Sequence, residues 1–228
     1  MRSTYLELLV RYRIRGAHPG GLPLSKKLLD SLDINSSTHL LDLGCGLGQT
    51  LGYIAKTYPC KITGVDINKQ MIFQAAKKLK DENLTVDLIC ADVTKLPFSS
   101  NKFDIALSES VTIFTEINKA LSEYARILKN DGTLLAIEMT SKDLLTKREL
   151  FEIKSVYGID QVPTSIEWER MLKLAGFTVI QSYEVKMIPT LKFTSLRMLY
   201  DFFPHLIILN RYKRKLIYNV YVCRKVIQ

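Results

Sequence analysis

The chain has no long hydrophobic run. Its longest late apolar stretch, Phe202-Phe203-Pro204-His205-Leu206-Ile207-Ile208-Leu209, falls far short of the roughly 20 residues a bilayer-spanning helix needs. The first residues, Met1-Arg2-Ser3-Thr4-Tyr5-Leu6-Glu7, are broken by charge, so no signal peptide is expected. Cysteine is scarce. Cys45, Cys60, Cys90 and Cys223 stand at no metal-ligand spacing, so no metal site is expected, and free thiols in a reducing cytoplasm are the simplest reading. Internal repeats, low-complexity tracts and long linkers are lacking, and residues 1–228 read as a single domain. No RNA- or DNA-binding motif stands out, so no nucleic-acid partner is expected. Acids are nearly missing from the C-terminal end: residues 186–228 carry nine Lys or Arg against Asp201 alone. That segment holds +8 of the chain's net +9, and residues 1–185 are almost neutral. A solvated face, an anionic substrate or a membrane surface would each suit such a segment.

What is present is ordinary globular composition, 47% hydrophobic and 24% charged, and one strongly patterned stretch. Leu40-Leu41-Asp42-Leu43-Gly44-Cys45-Gly46-Leu47-Gly48-Gln49-Thr50 reads as a strand, a glycine turn and the start of a helix. Asp42 falls at the strand's carboxyl end. Gly44, Gly46 and Gly48 remove side chains where the backbone turns sharply and a ligand must come close. In open α/β sheets such a turn is where nucleotides bind. Lys61–Asp66 reads as a second strand ending in an acid that can accept hydrogen bonds from ribose hydroxyls. A dinucleotide site needs G-x-G-x-x-G, whereas here the pattern is G-x-G-x-G with Gln49 at the third glycine's place. A nicotinamide-dependent oxidoreductase is therefore the competing class rather than the first.

The Asp42–Gly48 segment resembles the first motif, [D/E]-x-G-x-G-x-G, of the class I S-adenosylmethionine-dependent methyltransferases, and matches it at every fixed position. Further segments follow in family order. Asp92–Phe98 resembles D-x-x-x-L-P-F, an element of the small-molecule group that includes the ubiquinone and menaquinone C-methyltransferases. Phe103–Ser108 resembles F-D-x-x-x-[S/A]. Ala125–Leu134 resembles a segment containing R-x-L-K-P-G-G-x-L, with Asn130 and Asp131 where Pro and Gly are usual. Leu172–Phe177 resembles L-x-x-A-G-F. The resemblance implies a Rossmann-like three-layer α/β/α sandwich. Its seven-stranded, mostly parallel sheet would run 3-2-1-4-5-7-6, with an antiparallel last strand.

It also implies S-adenosylmethionine as cofactor, S-adenosylhomocysteine as product and a small-molecule methyl acceptor. Asp42, Gly44, Cys45, Gly46 and Gly48 would hold the methionine moiety, and Asp66 the ribose. Ile67 would face the adenine and Asp92 would take its amino group. Val93, Ser108 and Met71 complete the expected cofactor set, although Met71 also fits the core face of its helix. Glu109, after the fourth strand, is the acid expected to orient the acceptor or act as base. His18, in the His18–Gly21 loop, is the candidate partner from the N-terminal helices. Gly20 and Gly21 suit either a plain turn or backbone N–H groups offered to the cofactor.

Element boundaries follow from periodicity and punctuation. Helices are expected over 3–14 and 24–32, and residues 1–33 would cap the cofactor core of 38–185. Strands are expected at Thr38–Leu43, Lys61–Asp66, Leu84–Cys90, Phe103–Ser108, Thr133–Met139, Phe177–Val185 and Leu216–Lys225. Helices fall at Gly46–Thr57, after the Asn68 N-cap, at Glu116–Lys129, at 143–157 and after the Thr164 capping box. A glycine with positive φ, Gly132, is expected after the Glu116–Lys129 helix. Residues 187–214 form an apolar insertion. It could serve as a substrate lid, a dimer contact, a peripheral membrane element or simply core, with the chain a monomer or homodimer. A lipid or quinone methyltransferase and a non-enzymatic cofactor-binding protein remain the alternative functions.

Overall fold

The computed structural model describes residues 4–14, 18–185 and 193–226. The sheet comprises β1 (His39–Leu43), β2 (Lys61–Asp66), β3 (Asp87–Cys90), β4 (Phe103–Glu109), β5 (Leu128–Ser141), β6 (Phe177–Val185) and β7 (Leu216–Lys225). Their order is β3-β2-β1-β4-β5-β7-β6, as expected. The first five strands pair in parallel, and β7 runs antiparallel to both β5 and β6. β1 and β4 are buried along nearly their whole length, because helices cover both faces of the sheet's centre.

The helices are α1 (Tyr5–Arg11), α2 (Gly21–Leu29), α3 (Gln49–Thr57), α4 (Lys69–Asp81), α5 (Ile117–Ile127), α6 (Lys147–Tyr157), α7 (Ser165–Leu174) and α8 (Leu196–Tyr212). Two apolar cores divide at the sheet. On one face Leu28, Leu51 and Ile54 of α2 and α3 meet Leu40, Ile105 and Leu135. On the other Tyr124, Ile153 and Trp168 of α5, α6 and α7 meet Leu41, Phe103 and Leu134. These are the three layers that the strand–helix alternation demands. No helix among the described residues is long and apolar enough to cross a membrane.

Several boundaries differ from expectation for local reasons. α2 begins at Gly21 rather than Leu24, with Gly20 left-handed at φ 78° immediately before it. α3 begins at Gln49 rather than Gly46, because Gly46 and Gly48 are both left-handed. β3 starts at Asp87, three residues later than Leu84. β5 starts at Leu128 and reaches Thr133 through a register shift against β4. In that shift Asp131, not Gly132, takes the positive φ, 58°. Gly132 is needed for a different reason: a Cβ there would stand 2.8 Å from the Lys129 carbonyl oxygen. The family's usual glycine before it is thus replaced by an aspartate, one of the few residue types that tolerate this conformation.

Within the insertion, residues 187–192 lie outside the described residues, as do Gly16 and Ala17 at the head of the His18 loop. The rest is α8, capped by Ser195, whose hydroxyl accepts from the Met198 N–H at 3.1 Å. Met198, Phe202, His205, Ile208 and Tyr212 are buried. Met198 and Phe202 pack with Leu8 of α1, and the helix also contacts α6. One face of the insertion is therefore core.

Candidate functional site

The carboxyl ends of β1, β2 and β4 open into a cavity of about 620 Å³. Its floor at one end is the glycine turn. Gly44 (φ 72°) cannot carry a side chain, since a Cβ would fall 2.4 Å from Val111 Cγ2. At Gly46 (φ 52°), which lines the cavity, an added Cβ would meet nothing within 4 Å. Bare backbone at Gly44 admits Val111 against the turn, and at Gly46 it leaves room for a ligand.

Asp66 at the end of β2 braces this turn. Its Oδ2 accepts from the Gly46 N–H at 3.0 Å and its Oδ1 from the Asn68 N–H at 2.8 Å. Burial raises its pKa, and these two backbone donors pull it partly back. Each carboxylate oxygen has capacity for a second bond, so the group remains able to accept from a pair of hydroxyls. Ile67 beside it lines the cavity although 70% exposed, presenting an uncommitted apolar face. Met71, Asp92 and Val93 continue the wall. Asp92 spends Oδ1 on its own turn, accepting from Thr94 N–H and Oγ1, both at 2.8 Å.

Three of the expected cofactor residues stand off the cavity wall. Asp42 is 2% exposed, beneath the turn rather than along it. Its carboxyl lies well above the usual range because burial is reinforced by the negative charges of Glu109 and Asp66. Gly48 faces α4, where an added Cβ would come 3.2 Å from Ala75 Cβ. Ser108 is fully buried and donates to Glu138 Oε1 at 3.0 Å. It shapes the site through that acid instead of facing into the cavity. Cys45 lines the wall, and burial beside Asp42 and Asp66 keeps its thiol protonated.

The two polar candidates from separate parts of the chain meet. His18 Nε2 lies 3.5 Å from Glu109 Oε2, and both residues line the cavity. Thr50 Oγ1 donates to Glu109 Oε2 at 2.8 Å, and Ser25 Oγ donates to Oε1. Ser25 Oγ is also 3.3 Å from His18 Nε2. Ser25 and Thr50 escaped the sequence reading, since Ser25 stands in no motif and Thr50, the last residue of the Leu40–Thr50 stretch, is not one of its fixed positions; only the packing of α2 on α3 brings them to β4.

Two other side chains were missed. Gln49, the residue that breaks the dinucleotide pattern, has a buried Oε1 with no partner among the described residues, and it lines the cavity. Glu138 is 1% exposed and accepts from Ser108 Oγ, from Thr112 N–H at 3.1 Å and from Ile113 N–H at 3.2 Å. It thereby holds the short turn Thr112–Phe114 that forms the cavity's far side. Its sequence signal was a lone acid inside the apolar run Leu134-Leu135-Ala136-Ile137-Glu138-Met139. Beyond that turn the wall is aromatic: Tyr5, Phe114, Tyr157 and Tyr218. Among the described residues no group of His, Cys, Asp and Glu is placed to hold a metal ion.

An open sheet of this order, with an acid-and-glycine turn at its carboxyl edge, defines a Rossmann-like enzyme that binds a nucleoside cofactor. Residues 41–136 match the family described as a methyltransferase domain. The uncharacterized methyltransferase YodH of Bacillus subtilis (strain 168) is 37% identical over 176 residues, 77% of this chain and 75% of that one. In fold the chain is similar to geranyl diphosphate C-methyltransferase of Streptomyces coelicolor A3(2), solved with S-adenosyl-L-homocysteine. That likeness has a TM-score of 0.77, 14% identity, and coverage of 90% of this chain and 78% of that one. It is similar also to phosphoethanolamine N-methyltransferase 2 of Haemonchus contortus, with a TM-score of 0.78 and 18% identity. The alignment covers 92% of this chain and 54% of that one. The chain belongs to the class I S-adenosylmethionine-dependent methyltransferases, and S-adenosylmethionine is its cofactor.

The residues present suit that group. Asp66 lines the wall beside the glycine turn with acceptor capacity left for a pair of hydroxyls. The orphaned Gln49 Oε1 is an acceptor for an N–H donor, and Gly46 leaves the space a ligand needs.

Proposed function

We propose that this methyltransferase acts on a small molecule, largely apolar or aromatic, held between α1 and the Thr112–Phe114 turn. The Glu109 carboxylate carries this reading. It stands on the cavity wall, held by Ser25 and Thr50 and flanked by His18, between the glycine turn and the aromatic compartment. S-adenosylmethionine supplies a methyl already activated on a sulfonium sulfur. The chain's task is then to position the acceptor and exclude water. Asp66 would bind the ribose hydroxyls, Asp92 the adenine amino group, and Ile67, Met71 and Val93 the adenine faces. Gln49 and the Gly44–Gly46 backbone would take the methionine end.

On the acceptor side Glu109 is the group to orient an N–H or O–H donor, or to remove its proton where the accepting atom must be deprotonated. His18 and Ser25 hold that carboxylate in one rotamer. Tyr157, whose buried hydroxyl has no partner among the described residues, adds a second hydrogen-bonding point on the same wall.

The test is transfer of labelled methyl from S-adenosylmethionine into a cell extract, followed by fractionation. Label in the low-molecular-mass fraction is expected, and label confined to protein or nucleic acid overturns the reading. With the acceptor in hand, Glu109→Gln should lower kcat/KM by about 10²-fold or more, the range of a positioned acid or base. Its calorimetric affinity for S-adenosylmethionine should hold. An equal fall in cofactor affinity would reassign Glu109 to the cofactor.

A further inference from the structure

The outer face of α8 presents apolar side chains to solvent that the fold gives no other use. Leu196, Leu199, Tyr200, Phe203 and Ile207 are exposed, Leu196 by 87%, Tyr200 by 74% and Phe203 by 55%. At 100° per residue these five fall within a stripe about 100° wide. The buried set, Met198, Phe202, His205, Ile208 and Tyr212, occupies the opposite side. The helix is thus apolar on two faces, and only one of them is covered by α1 and α6. Contiguous exposed apolar surface of this kind is uncommon on a protein that meets nothing but water.

The charge around the stripe says what would cover it. Arg197 is exposed beside its N-terminal end, and Arg211, Lys213, Arg214 and Lys215 follow at its C-terminal end. The one acid of the segment, Asp201, is occupied by α1: it accepts from Tyr12 at 2.6 Å and pairs with Arg11 at 3.3 Å. Arg211 and Lys215 are partly neutralised by Glu152 and Glu149 of α6, while Lys213 and Arg214 are not paired with an acid among the described residues. Two copies of this chain meeting here would bring cation against cation. An anionic surface with an apolar interior satisfies both features at once.

We propose that α8 docks this enzyme on an anionic lipid bilayer, its Leu196–Ile207 stripe entering the headgroup boundary and its flanking arginines and lysines meeting lipid phosphates. α1 packs against α8 and also lines the cavity through Leu6, Leu9 and Val10. A docked α8 therefore sets the acceptor end of the cavity next to the bilayer. The surface does not depend on which acceptor the cavity takes.

The experiment is co-sedimentation of the full chain with vesicles of phosphatidylcholine alone and of equimolar phosphatidylcholine and phosphatidylglycerol. Partitioning onto the anionic vesicles should exceed that onto neutral ones by about ten-fold or more and collapse near 1 M salt, where screening is almost complete. The pair Tyr200→Asp and Phe203→Asp should abolish it. Lys213→Glu with Arg214→Glu should weaken it while leaving the apolar stripe intact. S-adenosylmethionine affinity unchanged in both variants shows that the fold is kept. Equal binding to both vesicle types, or variants that bind as well as the parent, overturns the proposal. A dimer by light scattering that Phe203→Asp dissolves also overturns it, because the stripe then belongs to a second copy.

Discussion

Glu138 is enclosed on every side, and yet it accepts three hydrogen bonds. Those bonds do not offset the cost of burying its charge, and its pKa is raised from 4.5 to about 7. The folded chain therefore binds this proton more tightly than the unfolded chain does. The associated stability is complete below pH 4.5 and is lost as pH rises through about 7. Urea unfolding at about pH 5 and about pH 8 should show the parent losing more stability across that window than Glu138→Gln. Parallel losses would mean that the carboxyl is not the titrating group. Asp66 answers a different question. Asp66→Ala should weaken S-adenosylmethionine binding by about 1–3 kcal/mol, the scale for leaving polar partners unpaired. Calorimetry reads this directly, and unchanged affinity would sink the ribose assignment.

At the scale of elements, α1 lines the cavity and packs against α8. His205 stacks on Tyr5 at 4.7 Å and meets Tyr157 edge-on at 5.2 Å. Burial lowers the pKa of His205 to about 4. A depressed histidine contributes stability that is present above its ordinary value of 6.5 and is lost as pH falls toward 4. Amides of α1 and α8 should accordingly exchange faster at about pH 5 than the intrinsic pH dependence of exchange accounts for, and His205→Phe should remove that excess. Caps belong to this scale as well. Thr164 accepts from the Glu167 N–H while Glu167 accepts from the Thr164 N–H, the reciprocal box expected from T-x-x-E. Thr164→Ala should cost about 1 kcal/mol in thermal unfolding. Thr146 and Glu149 form the same box on α6. That pattern was equally open in Thr146-Lys147-Arg148-Glu149, and it places the start of α6 later than residue 143.

For the molecule as a whole, cofactor binding and the fold are one equilibrium. The cavity is built from the ends of β1, β2 and β4 and from α1, so a ligand that fills it binds only the folded chain. S-adenosylmethionine and S-adenosylhomocysteine at 100 times their dissociation constants should each add about 2.7 kcal/mol to the stability, read as a rise in Tm. Asp66→Ala should need proportionally more ligand for the same rise. The segregation of charge also acts at this scale. Residues 1–185 are nearly neutral and the net positive charge resides in residues 186–228, so attraction to an anionic surface would act through that segment.

Sequence by itself determined the class of the fold, because its signals are local. Alternating apolar strands and amphipathic helices, glycine at left-handed positions and Asp66 at a strand end each follow from a few neighbouring residues. The order of the strands is not local, and it was expected only through the resemblance to the methyltransferase family. Tertiary structure alone decided the polar cluster around Glu109. Ser25, Thr50 and Glu109 belong to three separate elements and His18 to a loop, and no spacing along the chain announces that they touch. The off-wall positions of Asp42 and Ser108 likewise depend on how β1, β4 and β5 stack. The fate of α8 shows the division most plainly: its sequence is apolar around most of its circumference. Which face became core was settled only when α1 and α6 closed over one side, leaving the other to water.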